Sequence, residues 1–203
     1  MDLPGTHAEM MEANPGLRLP EWAIKKRSFL SPYLEQVGDI RPPWRFQWVI
    51  KRRLALMAWP QYPEHLRFLL KNGLRRLISL SPECRPPIHQ FTEFYFMEIP
   101  VEELTPPTLE QIKLFICFCD QARQFDEAVG ICDRVGRGRS GVFAACYLVR
   151  YCGLTAEMAI MQLRKTRPGA IETLAQEKAV EEYYKELCNC PPEDACWQPG
   201  RFQ

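Results

Sequence analysis

Residues 130–142 carry the strongest chemical signal in the sequence, because a glycine-bearing loop stands there between a predicted strand and a predicted helix. Gly136 and Gly138 permit backbone angles that other residues avoid. Inward-turned loop amides and a helix N-terminus, which carries about half a positive charge, together form a binding site for an anion. Arg139 adds a planar guanidinium that suits phosphate oxygens. The stretch therefore predicts a phosphate-binding cradle.

The residue that leads into this cradle decides what chemistry the cradle can do. Asp133 has a carboxylate with a reference pKa of about 3.9, so it should be ionised at neutral pH. It can accept the amide hydrogen bonds that a phosphate would accept, and it can pair with Arg139. Cys132 should face the packing side of the strand, since adjacent side chains point to opposite faces. We predict that Asp133 fills the cradle and that Cys132 is a buried structural cysteine.

Length and composition favour one domain with extensions. The chain has 203 residues, of which 46% are hydrophobic, enough to bury a core. Its 26 basic and 25 acidic residues give a formal net charge of +1, without the basic excess that is typical of nucleic-acid binders. The sequence has no apolar run of about 18 residues and no basic-then-apolar N-terminus. We therefore expect neither a transmembrane helix nor a signal peptide.

The cysteines indicate a reducing compartment. There are nine of them, an odd number, and most lie inside apolar runs, as small buried residues do. Cys188, Cys190 and Cys196 cluster in the tail but lack a fourth ligand and a nearby histidine, so contact with solvent or a partner is a stronger interpretation than a zinc site. We expect no cofactor, no metal, and a cytoplasmic or cytoskeleton-associated protein.

Periodicity along the chain predicts alternating strands and helices. Predicted strands lie at 44–58 (one or two strands), 75–80, 91–99 and 127–132. Predicted helices lie at 63–72, 108–125, 140–152, 155–165 and 174–187. This alternation predicts an α/β fold whose sheet is flanked by helices, with the cradle at the carboxyl end of a central strand.

Three regions are expected along the chain. Residues 1–41 form an arm, partly flexible, in which a broken helix over 21–37 carries aromatic residues that favour docking on the domain or on a partner. Residues 42–187 form the domain, and residues 188–203 form a proline-containing tail.

From about residue 44 to residue 187 the chain resembles the small atypical dual-specificity phosphatases, in particular the VH1-like phosphatase Z type. The resemblance rests on the stretches 68–80, 145–149, 167–173 and 176–180, which keep the family's order and spacing. In the loop, the matching residues are Gly136, Gly138, Arg139, Ser140 and Gly141. The resemblance implies the protein tyrosine phosphatase fold, a mixed central sheet wrapped by helices.

The same resemblance identifies what this chain lacks. In the family's motif, Asp133 stands at the position of the nucleophilic cysteine and Cys132 at that of the preceding histidine. The family's acid aspartate follows an Ile-Pro step, where only Glu102 and Glu103 are available here, either as a substitute acid or as part of a solvated loop. Gln176 matches a position that orients water in related phosphatases. No catalytic residue is expected, and the phosphate loop comprises Asp133, Arg134, Val135, Gly136, Arg137, Gly138, Arg139 and Ser140.

We therefore expect a pseudophosphatase, an inactive domain that serves as a binding or structural module in an assembly. Its partners would be proteins, phosphorylated or not; neither nucleic-acid binding nor membrane insertion is expected. Arg134 and Arg137 would attract a phosphorylated partner or simply solvate the loop, and Arg139 would tie Asp133 or bind an oxyanion. The alternative is an active protein tyrosine/serine/threonine phosphatase with a non-standard nucleophile, either Cys132 or a phosphorylated Asp133 assisted by magnesium.

Overall fold

The structure is a computed structural model that describes residues 40–189. Its strands are β1 (Gln47–Ile50), β2 (Leu54–Ala58), β3 (Leu74–Ser79), β4 (Tyr95–Glu98) and β5 (Ala128–Asp133). They form one sheet in the order β1-β2-β5-β3-β4. β1 pairs antiparallel with β2, and every other pair is parallel, so the sheet is mixed. β5 is the central strand, as the sequence predicted.

Helices cover both faces of the sheet. The α-helices are α1 (Pro63–Lys71), α2 (Leu109–Gln124), α3 (Gly138–Cys152), α4 (Ala156–Thr166) and α5 (Leu174–Asn189). α2 to α5 enclose the larger core on one face, while α1 and the segment around Phe91 enclose the smaller core on the other. The predicted α/β fold, a mixed sheet flanked by helices, is confirmed. Within residues 40–189 no helix has both the length and the hydropathy to cross a membrane.

Local signals explain where the helices begin and end. Thr108 caps α2: its hydroxyl accepts from the Gln111 amide at 3.2 Å, and the Gln111 side chain accepts from the Thr108 amide at 2.9 Å. Gly153 ends α3 with a left-handed φ of +65°, the conformation that glycine takes most easily. Both features follow from residue types visible in the sequence.

The largest departures from the predicted boundaries lie at β4 and at the junction of β5 with α3. β5 extends through Asp133 and α3 begins at Gly138 rather than at residue 140, so strand and helix come closer together than predicted. β4 is much shorter than the predicted 91–99. Phe91 and Phe94 both lie in the smaller core, and a regular strand would send these two side chains to opposite faces.

Two predicted regions fall outside the described residues. The helix predicted over 21–37 belongs to the first, and the tail with Cys190 and Cys196 belongs to the second. α5 itself runs to Asn189, two residues beyond the predicted end at 187.

Side chains alternate between the two cores along β5. Val129 and Ile131 belong to the larger core, whereas Ala128 and Cys132 belong to the smaller core under α1. The predicted burial of Cys132 on the packing side is therefore confirmed. The same alternation turns Asp133 toward the face on which α3 begins.

After β5 the chain passes close beneath β2 before α3 starts. Gly136 has a φ of +76°, and a Cβ at this position would lie 2.5 Å from the Met57 carbonyl carbon and 2.6 Å from the Ala58 nitrogen. Both contacts are with backbone, which cannot move aside without disturbing the sheet. The path of the loop therefore requires glycine at position 136.

We expect Gly136→Ala to lower the free energy of unfolding by about 2 kcal/mol or more, because the new Cβ combines a left-handed backbone with a steric overlap. Gly138→Ala is the matched control: the nearest atoms to its Cβ belong to the Glu172 side chain, which can rotate away. Urea denaturation of the two variants measures the difference. An equal decrease in the free energy of unfolding for the two variants would show that the backbone contact at position 136 carries no special cost.

Candidate functional site

The Asp133 carboxylate occupies the centre of the phosphate loop, residues 133–140. The side chain is 2% exposed. One of its oxygens accepts hydrogen bonds from the amides of Val135, at 2.9 Å, and Gly136. The other accepts from the amide of Ser140 at 2.8 Å. The inward-turned amides are therefore bonded to an anion that belongs to the same chain.

Asp133 also serves the first turn of α3. Arg137, at the N-cap position, makes no side-chain capping bond, and the helix begins one residue later. The bond from the Ser140 amide to Asp133 satisfies one of the donors that the helix leaves unpaired, and it puts negative charge at the positive end of the helix dipole. This cap, supplied from outside the helix, explains why α3 starts before residue 140.

Arg139 does not pair with Asp133, and that predicted contact is wrong. Its guanidinium donates to both carboxylate oxygens of Glu83, at 2.7 and 3.3 Å, and to the carbonyl oxygen of Val101 at 2.9 Å. Asp133 is already held by three amides on the other side of the loop. Because Arg139 is 3% exposed, its charge needs a partner, and Glu83 supplies one from the loop that follows β3.

The other two arginines of the loop also meet carboxylates. Arg134 pairs with Glu103, with its Nε donating at 3.1 Å. Arg137 pairs with Glu172 at 3.3 Å. Every arginine of the loop is therefore paired with an acidic residue of this chain.

The acidic loop that the sequence singled out lies against the cradle, but its two carboxylates differ. Glu103 is engaged by Arg134, whereas the side chain of Glu102 is exposed to solvent. Gln176 is fully buried: its side-chain oxygen accepts from the Glu172 amide at 2.7 Å and its nitrogen donates to the Thr105 carbonyl at 3.3 Å. Both ends of that side chain thus bond to backbone.

Cys132 lacks the properties of a reactive thiol. Burial raises the pKa of this thiol well above its ordinary value, and its side chain packs in the smaller core. A thiol acts as a nucleophile only as the thiolate, which needs an electropositive and accessible position. The structure therefore brings residues 133–140 together as predicted and keeps Cys132 apart from them.

Sequence reasoning missed Ser81, Glu83 and Arg167. Ser81 accepts from the Arg134 amide at 2.8 Å, and it stands with Glu83 in a proline-rich loop that gave no periodic signal. Arg167 lies two residues past the end of the helix predicted at 155–165. Its Nε donates to the Gly136 carbonyl at 2.5 Å, and its other nitrogens donate to the carbonyl of Arg45 at 2.9 Å and to the side chain of Gln47 at 3.0 Å. Its place in the 167–173 stretch was the one available hint.

Arg167 keeps its charge in a buried place. The pKa of Arg167 is lowered to about 10, chiefly by burial; Asp133 raises it, and the nearby charges of Arg45 and Arg137 contribute to the lowering. At neutral pH the group is still a cation that fastens the loop to β1.

Comparison with known proteins finds one family and a set of partial relatives. Residues 43–180 match the family model described as "Swiss Army Knife protein, DSP-PTPase phosphatase domain". The phosphatidylglycerophosphate phosphatase PTPMT1 of Arabidopsis thaliana is 35% identical over 78 residues, which cover 38% of this chain and 23% of that protein. Protein tyrosine phosphatase domain-containing protein 1 of Bos taurus is 31% identical over 163 residues, covering 67% of this chain and 20% of the relative. The chain thus spans less than a quarter of either relative.

Solved structures share the fold. The crystal structure of DUSP15 superposes with a TM-score of 0.60 at 21% sequence identity, covering 71% of this chain and 90% of that one.

We expect Glu83→Gln to lower the free energy of unfolding by about 1 kcal/mol at pH 7, at the low end for a charged hydrogen bond because Glu83 is 40% exposed. The hydrogen bond from Arg139 lowers the pKa of Glu83 below its ordinary value of 4.5. A lowered carboxyl pKa stabilises the fold above the unfolded value, and this contribution is lost as the pH falls through the folded value.

The difference between wild type and Glu83→Gln should therefore shrink as the pH drops below about 4.5. Urea denaturation from pH 7 to pH 3 measures it. A difference that stays constant across this range would contradict the pairing.

Proposed function

Because the chain belongs to the DSP-type protein tyrosine phosphatase domains, we propose that it is a pseudophosphatase of the atypical, VH1-like Z type. The domain would be catalytically inactive and would serve as a binding or structural module in an assembly. Its partners would be proteins, phosphorylated or not, in the cytoplasm or on the cytoskeleton, and it would neither bind nucleic acid nor insert into a membrane.

The observation that carries this proposal is the Asp133 carboxylate at the focus of the loop amides. The cysteine chemistry of this fold needs a thiolate at that point, activated by the same amides and by the helix N-terminus. Here the amides of Val135, Gly136 and Ser140 are bonded to a carboxylate instead. On this proposal the loop amides converge as they would on a nucleophile, and the carboxylate stands in its place.

The two non-standard nucleophiles receive little support from the geometry. Cys132 is buried in the smaller core, with a raised thiol pKa. Both oxygens of Asp133 accept amide hydrogen bonds, which stabilise the carboxylate and so lower its reactivity as a nucleophile. The guanidinium that would hold a transferring phosphoryl group, that of Arg139, is paired with Glu83.

An active phosphatase is the rival function, and the intact path of the loop favours it, together with a relative named as a phosphatidylglycerophosphate phosphatase. We expect purified protein to hydrolyse neither an aryl phosphate nor phosphatidylglycerophosphate faster than the Arg139→Ala variant does. Phosphate release by the wild type that Arg139→Ala abolishes would overturn the proposal.

We expect Asp133→Ala to open the cradle. The variant loses three hydrogen bonds from backbone amides, one of which caps the helix. This loss should lower the free energy of unfolding by about 2–4 kcal/mol. Inorganic phosphate, which can take the same amides, should then raise the melting temperature of the variant more than that of the wild type, because a ligand of the folded state stabilises it. An equal response of the two proteins would contradict the self-occupied cradle.

We expect Asp133→Cys to gain hydrolysis of an aryl phosphate, whose leaving group departs readily without protonation. Asp133→Ser is the matched control, since it has similar size and a far weaker nucleophile; the cysteine variant should exceed it by ~100-fold or more. Asp133→Cys is tested singly because Cys132 is fully buried, and a histidine there would disturb the core. Equal rates for the two variants would show that more than the nucleophile is missing.

A further inference from the structure

The edge of the sheet opposite the cradle carries an excess of positive charge. β2, β5 and β3 run parallel, so their first residues lie together at this edge, while their last residues lie toward the cradle. The segments at which these strands begin meet there, and we call them the basic edge: residues 51–53, 71–76 and 123–127. They hold seven basic and two acidic side chains, a net charge of +5 on a chain whose total is +1.

Two ion pairs join the three segments of the basic edge. Arg53 pairs with Asp126 at 2.6 Å, and Arg76 pairs with Glu127 at 2.7 Å. The guanidinium of Arg76 also lies 5.9 Å from the centroid of the Phe125 ring. Both acidic residues of the edge are therefore already engaged by arginines of this chain.

Four basic side chains of the edge have no acidic partner. Three are exposed and the fourth is half-buried, and none forms an ion pair with residues 40–189; in chain order they are Lys51, Arg52, Lys71 and, half-buried, Arg75. The cradle is different, because there every arginine of the loop is paired with a glutamate. Positive charge that the chain neutralises around the cradle is thus left open to solvent at the opposite edge.

Arg52 is held in a conformation that arginine does not favour. The amide of Arg53 donates to the carbonyl of Ile50 at 3.0 Å and closes a turn, within which Arg52 has a φ of +60°. Glycine or asparagine usually occupies a central turn position with positive φ, because a larger side chain is strained there. Arg52 makes no ion pair within residues 40–189 in return for that strain. A strained, exposed residue of this kind is typical of a functional surface.

We propose that the basic edge binds an acidic segment of a partner protein, in extended conformation and with an apolar side chain at its centre. β2 and β3 lie on either side of β5, and with a strand spacing of about 4.8 Å their starts are about 10 Å apart. About three residues of extended chain span that distance. Carboxylates of the segment would pair with Lys51 and Arg52 at one end and with Lys71 and Arg75 at the other.

Phe125 provides the contact for the apolar centre. It lies between the two groups of cations, directly after α2, and it is 57% exposed. Asp126 beside it has a side chain that is 84% exposed. A nucleic acid or an anionic membrane would bring evenly spaced phosphates against this carboxylate, whereas a peptide can place an uncharged residue there. The edge therefore favours a protein segment over the other polyanions.

The proposal names a partner class for the binding role proposed above, and it does not depend on whether the cradle is inactive. The test is the affinity of the full chain for a fluorescent peptide with three glutamates on each side of a leucine, compared with the same peptide carrying glutamines instead. We expect the acidic peptide to bind at least ~10-fold more tightly at low ionic strength, and added salt to weaken it. Equal affinity for the two peptides would overturn the site.

Two substitutions remove charge from separate segments of the edge. Arg52→Asn and Lys71→Ala should each weaken binding of the acidic peptide by ~3-fold, as expected for one exposed ion pair, and together by ~10-fold. Asparagine tolerates positive φ, so the urea midpoint of Arg52→Asn should stay the same or rise. A loss of affinity in that variant would then not result from a damaged turn.

Lys165→Ala is the matched control for Lys71→Ala. Both lysines are exposed, lie in the last turn of a helix and make no ion pair within residues 40–189. Lys165→Ala should leave the affinity unchanged. Equal losses from the two variants would reduce the effect to general charge attraction and overturn the site.

The apolar centre is tested by replacing the leucine of the peptide with serine. This change should weaken binding to the wild type by ~5-fold and binding to Phe125→Ala much less, because the leucine then has no ring to contact. The same cost in both proteins would overturn the place given to Phe125.

Two other polyanions serve as competing probes, phosphatidylcholine vesicles that carry phosphatidylserine and a single-stranded oligonucleotide. Binding to either one, lost in the variant that combines Arg52→Asn with Lys71→Ala and without binding to the peptide, would overturn the proposal and assign the edge to a membrane or a nucleic acid. The hydrolysis assay with an aryl phosphate tests the proposed function independently, so either proposal can fail while the other stands.

Discussion

A set of converging amide groups requires an anion, and the structure of the site depends on how that requirement is met. The turn from β5 into α3 points the N–H groups of Val135, Gly136 and Ser140 at one buried place. Left unpaired there, these donors would cost more than the hydrogen bonds are worth. The Asp133 carboxylate meets all three and caps the helix. The loop is thus complete without a ligand, which a phosphate-binding loop ordinarily is not.

Charge pairing within the chain also involves the arginines of the loop. Arg139, Arg134 and Arg137 each pair with a glutamate, and those glutamates come from three different loops. Each pair therefore fastens a separate segment to the cradle. Arg167 is the exception, because it holds the Gly136 carbonyl and the start of β1 through neutral oxygens only. Unlike the three arginines of the cradle, Arg167 thus makes no ion pair within residues 40–189.

Local features of the site could be predicted from the sequence, whereas its distant partners could not. The alternation of β5 placed Cys132 in the core and Asp133 at the loop, and the glycines fixed the turn. Those inferences depend on neighbours within a few residues. Glu83 lies 56 residues before Arg139, in a loop without periodicity, and nothing in its neighbourhood indicates an ion pair. The contact expected between Arg139 and Asp133 was wrong for the same reason, since a competing acid was invisible until the fold brought it near.

The packing around Cys132 sets how much of the site a substitution at position 133 could change. The thiol is enclosed by the smaller core beneath α1, where a larger ring would need new space. A single mutation at position 133 can place a sulfur at the focus of the loop amides without touching that core. A histidine at position 132 would instead need several neighbouring side chains to repack at the same time.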